Sequence, residues 1–486
     1  MITTTTDICK LSGAEQAQLI RAKVVSPVDV VDAVYSRIHQ LNPILNAFCT
    51  LVEGQARADA RTAEAAVMRG DELGALHGVP VSIKDLVCTK GILTVSGSKA
   101  YQDFVPDEDD IVVERLKAAG AIVIGKTNVP EFGYSGVGHN EVFPATRNPW
   151  NLDLTPGGSS AGSGAAVATG LGPFAIGSDG GGSVRIPSSF CGLFGMKASM
   201  GRVPLYPGTK DERYPGISSW ESLEHIGPMS RTVADSALML SVIAGPDQRD
   251  RFTLPQADYD WTTVADGGIQ GCRVAFSADW GYAAVEPQVR EIVARAVQVF
   301  EQDLGCTVEM ADPGWENPFE AFWATVANET DLRGMRRMLD EIGEDRMSSH
   351  LVTFLRREWT AEEFTDALMM RKHVNNTMAR FMGDYDLLLT PTLAVSPFEV
   401  GIQGPTAIDG RPVADTEWLH FTYPLNFTGQ PAATVPAGWT RDGLPIGLQI
   451  IGRHLDDATV LRASAAFEAA SPWRHRWPPL LDEMGL

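Results

Sequence analysis

An alternation of short apolar runs with amphipathic segments, which begins near residue 76, constrains the fold more than any other feature of this sequence. Runs of this length are typical of buried strands, and the segments between them have helical spacing. Strands are predicted at residues 79–83, 121–124, 173–176, 274–276, 307–310, 386–389, 433–435 and 447–451. Helices are predicted at residues 110–119, 231–244, 286–303, 362–381 and 456–470. The alternation predicts an α/β fold, with a single large mixed β-sheet core flanked by helices on both faces.

The first 70 residues are predicted to form helices that pack on the main body of the protein. Ser12 and Glu15 have the spacing of a capping box, which marks the start of a helix. Residues 53–69 are rich in Ala, Arg and Glu, and they predict another helix. We therefore expect an N-terminal helical segment over residues 1–70 and one large α/β domain over residues 71–486.

The charge balance and the cysteines narrow the choice of partners and compartment. A formal charge of −21 disfavours a protein that neutralises phosphates over a broad surface, so nucleic acid is not an expected partner. The six cysteines are dispersed without a CxxC pair, as in reduced thiols, and predict neither a zinc site nor a disulfide framework. The N-terminus lacks the features of a signal peptide, and the longest nearly apolar stretch, residues 165–177, is shorter than the roughly 20 residues of a membrane-spanning helix. We expect a cytoplasmic protein with no membrane partner, no metal and no cofactor.

Two glycine-rich runs, Thr155–Gly164 and Gly177–Arg185, indicate where the chemistry lies. Glycine inside a regular element costs about 0.5–1 kcal/mol, so such a concentration favours backbone that approaches a ligand closely. The second run follows the predicted strand at 173–176, and a helix is predicted to start near Ile186. Successive amides at such a junction form an anion-binding concavity, where a hydroxyl at Ser183 could attack a substrate whose oxyanion they hold. Taken alone, this run is also compatible with a phosphate-binding loop or a plain turn.

Other motifs for nucleotide binding or hydrolysis are weaker. The sequence has no GxxxxGK[ST], and no GxGxxG follows a predicted strand, which disfavours a nucleotide site. Gly158–Gly162 matches the GxSxG nucleophile elbow of α/β-hydrolases, with Ser160 as the nucleophile. That elbow requires a buried strand directly before it, whereas residues 148–156 have the composition of a loop. We therefore interpret the match as accidental.

Three motifs in order resemble those of the amidase signature family. Residues 157–160 read GGSS, and residues 179–185 fit the pattern D-x-G-G-S-[IV]-R. Upstream, residues 78–85 read GVPVSIKD, which is similar to the strand that carries the family's catalytic lysine. Shorter segments agree as well, at residues 125–132, 147–150, 190–197 and 443–449. The resemblance is dense over residues 20–245 and looser over about the last 100 residues.

The resemblance implies the amidase signature fold and a Ser–cisSer–Lys triad that hydrolyses amides. Ser183 would be the nucleophile, and Ser159, in a cis peptide bond, would relay the proton between Ser183 and Lys84. Lys84 would be the general base and must be neutral, which requires burial to move its pKa from about 10.4 to near 7. Lys84 precedes Ser159 by 75 residues, and Ser159 precedes Ser183 by 24, spacings that fit the family. Water would then hydrolyse the acyl-enzyme.

The resemblance also implies supporting roles. The oxyanion hole would consist of the amides of Gly180, Gly181, Gly182 and Ser183. Asp179 and Arg185 would organise this loop without taking part in bond making. Tyr134 and Ser135 precede the first glycine-rich run and are candidates for the substrate pocket, although a core position is equally compatible with Tyr134.

One departure from the family pattern and one variable region bear on the substrate. Family members often carry Thr where this chain has Gly180, so space opens beside the oxyanion hole. Residues 250–430 correspond to the family's variable, substrate-binding region. Its large apolar side chains favour a roomy pocket, and they are Trp315, Phe319, Phe322, Trp323, Phe354, Leu355, Met369, Met370, Trp418, Phe421 and Phe427. We expect an amidase for aryl and alkyl amides, with esters and carbamates (urethanes) open to the same acyl-transfer chemistry.

Two functions of other classes remain as alternatives. The amidotransferase A subunit of a tRNA-dependent amidation complex shares this fold and length, and it hydrolyses glutamine to deliver ammonia to partner subunits. The DGGGS loop and the apolar variable region fit that protein less well than a free-standing hydrolase. A catalytically silent binding scaffold is disfavoured by intact Lys84, Ser159 and Ser183. The expected partners are a small-molecule amide substrate and water, and the expected assembly is a monomer or homodimer.

Overall fold

A computed structural model of the chain describes residues 5–207 and 220–486, and a large β-sheet runs through their centre. Thirteen strands occur in these ranges. They are β1 (Phe48–Leu51), β2 (Pro80–Lys84), β3 (Ile122–Thr127), β4 (Phe174–Ser178), β5 (Phe194–Lys197), β6 (Ile226–Ser230), β7 (Arg273–Phe276), β8 (Thr307–Met310), β9 (Leu387–Pro391), β10 (Ala407–Ile408), β11 (Arg411–Pro412), β12 (Ala432–Trp439) and β13 (Pro445–Gly452).

Sixteen α-helices occur in the same ranges. They are α1 (Thr5–Lys10), α2 (Gly13–Arg21), α3 (Pro27–Leu45), α4 (Glu53–Arg69), α5 (Ile111–Ala118), α6 (Ala161–Ala168), α7 (Arg185–Cys191), α8 (Val233–Ile243), α9 (Pro287–Gln302), α10 (Phe319–Asn328), α11 (Leu332–Ile342), α12 (Ser349–Arg356), α13 (Ala361–Phe381), α14 (Pro424–Thr428), α15 (Asp457–Ala470) and α16 (Pro479–Glu483).

The sheet is mixed, as predicted. Eleven strands follow one another in the order β1-β3-β2-β4-β6-β5-β12-β13-β9-β7-β8, while β10 and β11 form a separate ribbon. Strand β2 is parallel to β3 and β4, and β7 is parallel to β8 and β9. The other neighbouring strands are antiparallel.

Helices cover both faces of this sheet. All residues of β2, β3, β4 and β13 are buried, and successive side chains of a strand point to opposite faces. In β3, Ile122 and Ile124 pack with Val34 and Ile38 of α3, whereas Val123 between them belongs to a second and larger apolar cluster. The α/β architecture predicted from the sequence is therefore confirmed.

The N-terminal segment differs in one respect from the predicted set of helices. The capping box of Ser12 and Glu15 and the helix over residues 53–69 are both present. Between the helices, however, β1 pairs with β3 and adds an edge strand to the sheet. The side chain of Asn42 turns the chain into this strand, since it accepts a hydrogen bond from the amide of Phe48 at 2.7 Å and donates one to its carbonyl at 3.2 Å. The division of the chain at residue 70 stays a prediction.

Strands β5 and β6 were not predicted from the sequence. They contain Gly195, Gly227 and Pro228, which are poor strand formers. Each lies between two other strands of the sheet, so tertiary pairing decides their conformation.

Several expected absences can be examined over the described residues. None of their helices is both long and apolar enough to cross a membrane. No group of three or more His, Cys, Asp or Glu side chains in the same ranges is arranged to hold a metal ion. All six cysteines lie in these ranges, and none of them forms a disulfide there.

The fold brings two of the sequence motifs to one edge of the sheet. Lys84 is the last residue of β2, and Ser178 is the last residue of β4. The two strands are parallel neighbours, with Ile83 opposite Ile176, so their C-terminal ends lie side by side. We refer to these ends, together with the loop of residues 179–184 that follows β4, as the β2–β4 edge.

Candidate active site

The side-chain nitrogen of Lys84 is buried at the β2–β4 edge and has three hydrogen-bond partners. Nζ lies 2.7 Å from Ser159 Oγ, 2.9 Å from Ser178 Oγ and 3.1 Å from the carbonyl oxygen of Ser178. Burial lowers the pKa of Lys84 to about 8, although the carboxylates of Glu224 and Asp179 oppose this effect. When the amine is neutral, its two N–H groups donate to the carbonyl oxygen and the hydroxyl of Ser178. Its lone pair can then accept the proton of the Ser159 hydroxyl. Lys84 is thus arranged as a general base.

Ser159 stands at the turn that leads into α6, and the peptide bond between Gly158 and Ser159 is cis. The chain passes so close to Val137 that a Cβ atom at residue 158 would lie 2.5 Å from the Val137 carbonyl oxygen, and only glycine fits there. Helix α6 packs on β2, β3 and β4 and so fixes this turn against the sheet. As a result the Ser159 hydroxyl contacts the nitrogen of Lys84.

Ser183 lies in the loop between β4 and α7, and the carboxylate of Asp179 anchors that loop. Asp179 accepts hydrogen bonds from the amides of Gly182 at 2.8 Å and Val184 at 3.2 Å. The guanidinium of Arg185 donates to both of its oxygens, at 2.9 and 2.8 Å, and both side chains are fully buried. Burial alone would raise the pKa of Asp179, but pairing with Arg185 holds it well below its usual range, so the carboxylate stays ionised.

Arg185 also ties this loop to the C-terminal third of the chain. It donates to Gln449 Oε1 at 2.7 Å, to Asn426 Oδ1 at 2.8 Å and to the carbonyl oxygen of Thr422 at 3.0 Å. The sequence prediction included Arg185 but none of these three partners. Gln449 could have been found, because it ends the segment at residues 443–449 that contributes to the family resemblance.

The backbone amides predicted for the oxyanion hole are not equally free to donate a hydrogen bond to a substrate. The N–H of Gly182 donates to the Asp179 carboxylate at 2.8 Å, so it cannot also bind a substrate oxygen. Within residues 5–207 and 220–486, the N–H groups of Gly180, Gly181 and Ser183 have no protein acceptor. The predicted set is corrected accordingly, with Gly182 removed and three free amides left.

Exposure differs along the candidate triad. Ser159 and Ser183 line the same small cavity, which Lys84 does not reach. Relative exposure is 9% for Ser183, 2% for Ser159 and 0% for Lys84. Of the three, Ser183 is therefore the group that a substrate can touch, Ser159 is intermediate, and Lys84 is shielded from solvent.

Glu224 is a further member of this small cavity that the sequence analysis missed. Burial raises the pKa of its carboxyl group, while Lys84 and the Ser178 hydroxyl act in the opposite direction. Its Oε2 fills space beside Gly180, where a Cβ atom would lie 2.7 Å away. The departure from Thr at residue 180 was the one signal in the sequence that pointed to this position.

Next to Ser183 a larger cavity of about 340 Å³ opens, and we call it the aromatic cavity. Tyr134 and Ser135, both predicted for the pocket, line it together with Ser183. Its other aromatic walls are Trp220, Phe319, Phe322, Trp323, Phe354, Trp359 and Tyr423. A space of this kind accommodates a flat apolar group directly beside the Ser183 hydroxyl.

The variable region supplies only part of the side chains expected in the aromatic cavity. Phe319, Phe322, Trp323 and Phe354 line it. The remaining predicted side chains do not, and they are Trp315, Leu355, Met369, Met370, Trp418, Phe421 and Phe427. Most of these are buried in the core, whereas Met369 is exposed, so apolar composition alone did not separate wall from core.

Ser160, the nucleophile of the alternative elbow motif, is engaged with β4. Its hydroxyl donates to the carbonyl oxygen of Ser178 and accepts from the amide of the same residue, both at 3.3 Å. The side chain is fully buried, and residues 155–159 directly before it are not in a strand. The geometry of a nucleophile elbow is therefore missing at Ser160.

Comparisons with known proteins agree with this geometry. The family model described as Amidase matches residues 29–461. An acylamidase from Rhodococcus erythropolis is 38% identical over 479 residues, covering 96% of this chain and 97% of that protein. The glutamyl-tRNA(Gln) amidotransferase A subunit of Geobacillus thermodenitrificans (strain NG80-2) is 35% identical, covering 96% and 98% of the two chains. The crystal structure of a bacterial aryl acylamidase of the amidase signature enzymes superposes with a TM-score of 0.88 at 32% identity, covering 95% of this chain and 96% of that one.

Proposed function

This chain belongs to the amidase family and is an amide-bond hydrolase, and on that premise we propose that it cleaves aryl and alkyl amides through an acyl-enzyme on Ser183. The observation that carries the proposal is the 2.7 Å contact between Lys84 Nζ and Ser159 Oγ, beside a cavity that Ser159 shares with Ser183. A serine hydroxyl is a weak nucleophile unless a base withdraws its proton. A buried amine with a lowered pKa meets that requirement.

In the acylation step, Ser183 Oγ attacks the carbonyl carbon of the substrate. Its proton passes to Ser159 Oγ while the Ser159 proton passes to Lys84 Nζ, so one positive charge appears on the lysine. The free amides of Gly180, Gly181 and Ser183 donate to the oxygen that becomes negative. The proton then returns from Lys84 through Ser159 to the substrate nitrogen, the C–N bond breaks, and the amine or ammonia leaves.

Deacylation repeats the same steps with water. Water attacks the carbonyl carbon of the Ser183 ester and gives its proton to Lys84 through Ser159. Collapse of the intermediate releases the carboxylic acid and returns the proton to Ser183. Asp179 and Arg185 do not exchange protons in this cycle, and their role is to hold the amides of the loop in place.

The aromatic cavity supports aryl and bulky alkyl amides as the substrate class. Tyr134 and Ser135 form the wall nearest the first glycine-rich run, and we propose that they contact the apolar part of the substrate. The relatives named for acylamidase and aryl acylamidase activity support the same class. Esters and carbamates (urethanes) can enter the same cycle, because each presents a carbonyl carbon with a leaving group.

A glutaminase of a tRNA-dependent amidation complex is the second candidate, since amidotransferase A subunits are also related to this chain. It predicts hydrolysis of glutamine that depends on partner subunits. The aromatic walls argue against it, because the glutamine side chain is polar and small. The charge of −21 also disfavours contact with tRNA.

For the cellular setting, we propose a cytoplasmic monomer or homodimer that acts on a small molecule and water, without a nucleic-acid or membrane partner. The absence of disulfides among the six cysteines of the described ranges supports a reducing compartment. The acidic charge balance supports the absence of nucleic acid.

The proposal is tested by turnover of an anilide, a primary aliphatic amide, an aryl ester, a carbamate and glutamine by the wild-type chain and Ser183→Ala. We expect the anilide to be the best amide substrate, and Ser183→Ala to lose activity by about 10³-fold or more on every substrate. Ser36→Ala is the matched control, because Ser36 is exposed on α3.

Three results would contradict the proposal. Near wild-type activity in Ser183→Ala together with loss in Ser160→Ala would assign the nucleophile to Ser160. Glutamine turnover only in the presence of added partner subunits would favour the amidotransferase. Lack of turnover of every substrate would favour a binding scaffold.

A further inference from the structure

Glu224 is a buried acid at the reacting centre that the cycle above does not use. It lines the small cavity of Ser159 and Ser183, and its Oε1 has no hydrogen-bond partner in the structure. We propose that Glu224 is a positioning residue that acts on Lys84. Its carboxyl group takes up the lysine proton through the Ser178 hydroxyl, and it lies in the space left by the absent side chain of Gly180. This inference rests on the proposed role of Lys84 as the general base.

The contact between Glu224 and Gly180 explains why residue 180 is glycine. A Cβ atom at residue 180 would lie 2.7 Å from Glu224 Oε2 and 2.6 Å from Cε3 of Trp220. Gly180 does not have a positive φ, so its backbone could be adopted by any residue. The requirement for glycine is therefore one of space, which the carboxyl group of Glu224 and the ring of Trp220 occupy together.

The Ser178 hydroxyl connects the acid to the base. Lys84 Nζ donates to Ser178 Oγ at 2.9 Å, and Ser178 and Glu224 line the same small cavity, so the Ser178 O–H can turn toward the carboxyl group of Glu224. A proton leaves Lys84 for Ser178 Oγ as the Ser178 proton moves to Glu224. One N–H bond and one O–H bond break, two O–H bonds form, and the charged pair becomes a neutral pair without change in net charge.

The neutral pair is the form that can start the reaction. In the charged pair, all three N–H groups of Lys84 point at acceptors, so the nitrogen cannot take the Ser159 proton. In the neutral pair, the lone pair of Lys84 faces Ser159. Burial works against the charged form of each partner, but the carboxylate of Glu224 raises the pKa of Lys84, so the neutral pair forms only when the proton moves to Glu224.

The other ionisable groups nearby have little effect on the protonation of Lys84 and Glu224. Asp179 is the other carboxylate that acts on both partners, and it is neutralised by Arg185. Beyond it lie Lys197 and His225, whose side-chain nitrogens are 3.3 Å apart. Burial lowers the pKa of both of these groups, so they add little positive charge near the pair.

The test is the pH dependence of kcat/KM for an anilide in Glu224→Gln. An amide keeps the shape of the side chain but carries no negative charge, so nothing at this position favours the protonated lysine. We expect the acid limb of the profile to move to lower pH by about one unit or more, because an adjacent carboxylate typically shifts a pKa by that amount. Glu224→Asp, which keeps the charge, should hold the limb close to the wild-type position.

The matched control is Glu468→Gln. Glu468 is a half-buried carboxyl group whose pKa is also raised by burial, but it accepts a hydrogen bond from the amide of Val233 and does not line the small cavity. Its substitution should leave the acid limb in place. A limb that stays at the wild-type pH in Glu224→Gln, with only kcat or thermal stability reduced, would show a merely structural role and overturn the inference.

A double-mutant cycle tests the shared space. Gly180→Ala should push the carboxyl group away from Ser178 and move the limb in the same direction as Glu224→Gln. Combined with Glu224→Gln, it should add little further shift, because both substitutions act on one carboxyl group. Additive shifts would contradict the contact. The proposed function fails separately, through activity retained in Ser183→Ala, so the two failures are distinguishable.

Discussion

The β2–β4 edge and the aromatic cavity meet at Ser183, but they are built in opposite ways. At the edge, Lys84 and Asp179 are buried ionisable groups with several hydrogen-bond partners each. The aromatic cavity has eight aromatic side chains in its walls, and some of their rings touch one another, such as Phe322 against Tyr423 at 4.9 Å between centroids and Trp323 against Phe354 at 5.8 Å. The edge thus depends on polar geometry, and the cavity depends on apolar shape.

This difference separates the two kinds of effect that substitutions should have. A change at the edge removes a step that every substrate needs, so all substrates should lose rate together. A change in the cavity removes contact with one part of the substrate, so the loss should depend on that part. Variants of the two regions can therefore be compared on the same pair of substrates.

The largest effect is expected from Lys84→Met. Methionine keeps most of the buried volume but has no proton acceptor of comparable basicity, so Ser159 can no longer pass on its proton. We expect kcat to fall by about 10³-fold or more for an anilide and for a small aliphatic amide alike. Lys372→Met, on the exposed surface of α13, is the control. A loss confined to the anilide would place Lys84 in substrate binding and remove the distinction between the two regions.

A smaller and selective effect is expected from Trp323→Ala. Trp323 is half-buried in the wall of the aromatic cavity, so its truncation removes apolar contact without emptying the core. We expect kcat/KM for the anilide to fall by about 10–100-fold, and that for a small aliphatic amide by less than about threefold. The measurement is the ratio of the two constants.

The control for this variant is Trp477→Ala. Trp477 is also half-buried, but its ring contacts Arg231 at 3.6 Å, far along the chain from the cavity walls. It should alter stability and leave the ratio unchanged. Equal losses on both substrates in Trp323→Ala would mean that the cavity is not the acyl or aryl pocket.

The same contrast explains what the sequence could predict. Lys84, Ser159 and Ser183 lie in three short motifs that resemble those of the amidase signature family, so the resemblance was enough to name them. Two hydrogen-bond partners of Arg185, namely Asn426 and Thr422, have no motif of their own. They lie more than 200 residues downstream of it in the sequence. Only the fold brings them to the loop.

Three failures of the sequence predictions have similar physical causes. Gly182 was expected to donate to substrate, but amide direction depends on the buried carboxylate of Asp179, and a pattern of glycines carries no information about it. Strands β5 and β6 contain glycine and proline, and their conformation follows from pairing with neighbours. In the variable region, Trp418 and Phe322 are equally apolar in sequence, yet only Phe322 lines the cavity.

The central claim is that Ser183 carries the acyl group, and trapping that intermediate tests it most directly. An aryl carbamate that deacylates slowly would label the nucleophile, and tandem mass spectrometry would locate the added mass. Trypsin releases residues 148–185 as one peptide with five serines, so fragment ions must separate Ser183 from Ser159, Ser160, Ser163 and Ser178. We predict that the mass lies on Ser183 and that Ser183→Ala is not labelled. A label on Ser159 or Ser160, or one that persists in Ser183→Ala, would contradict the account.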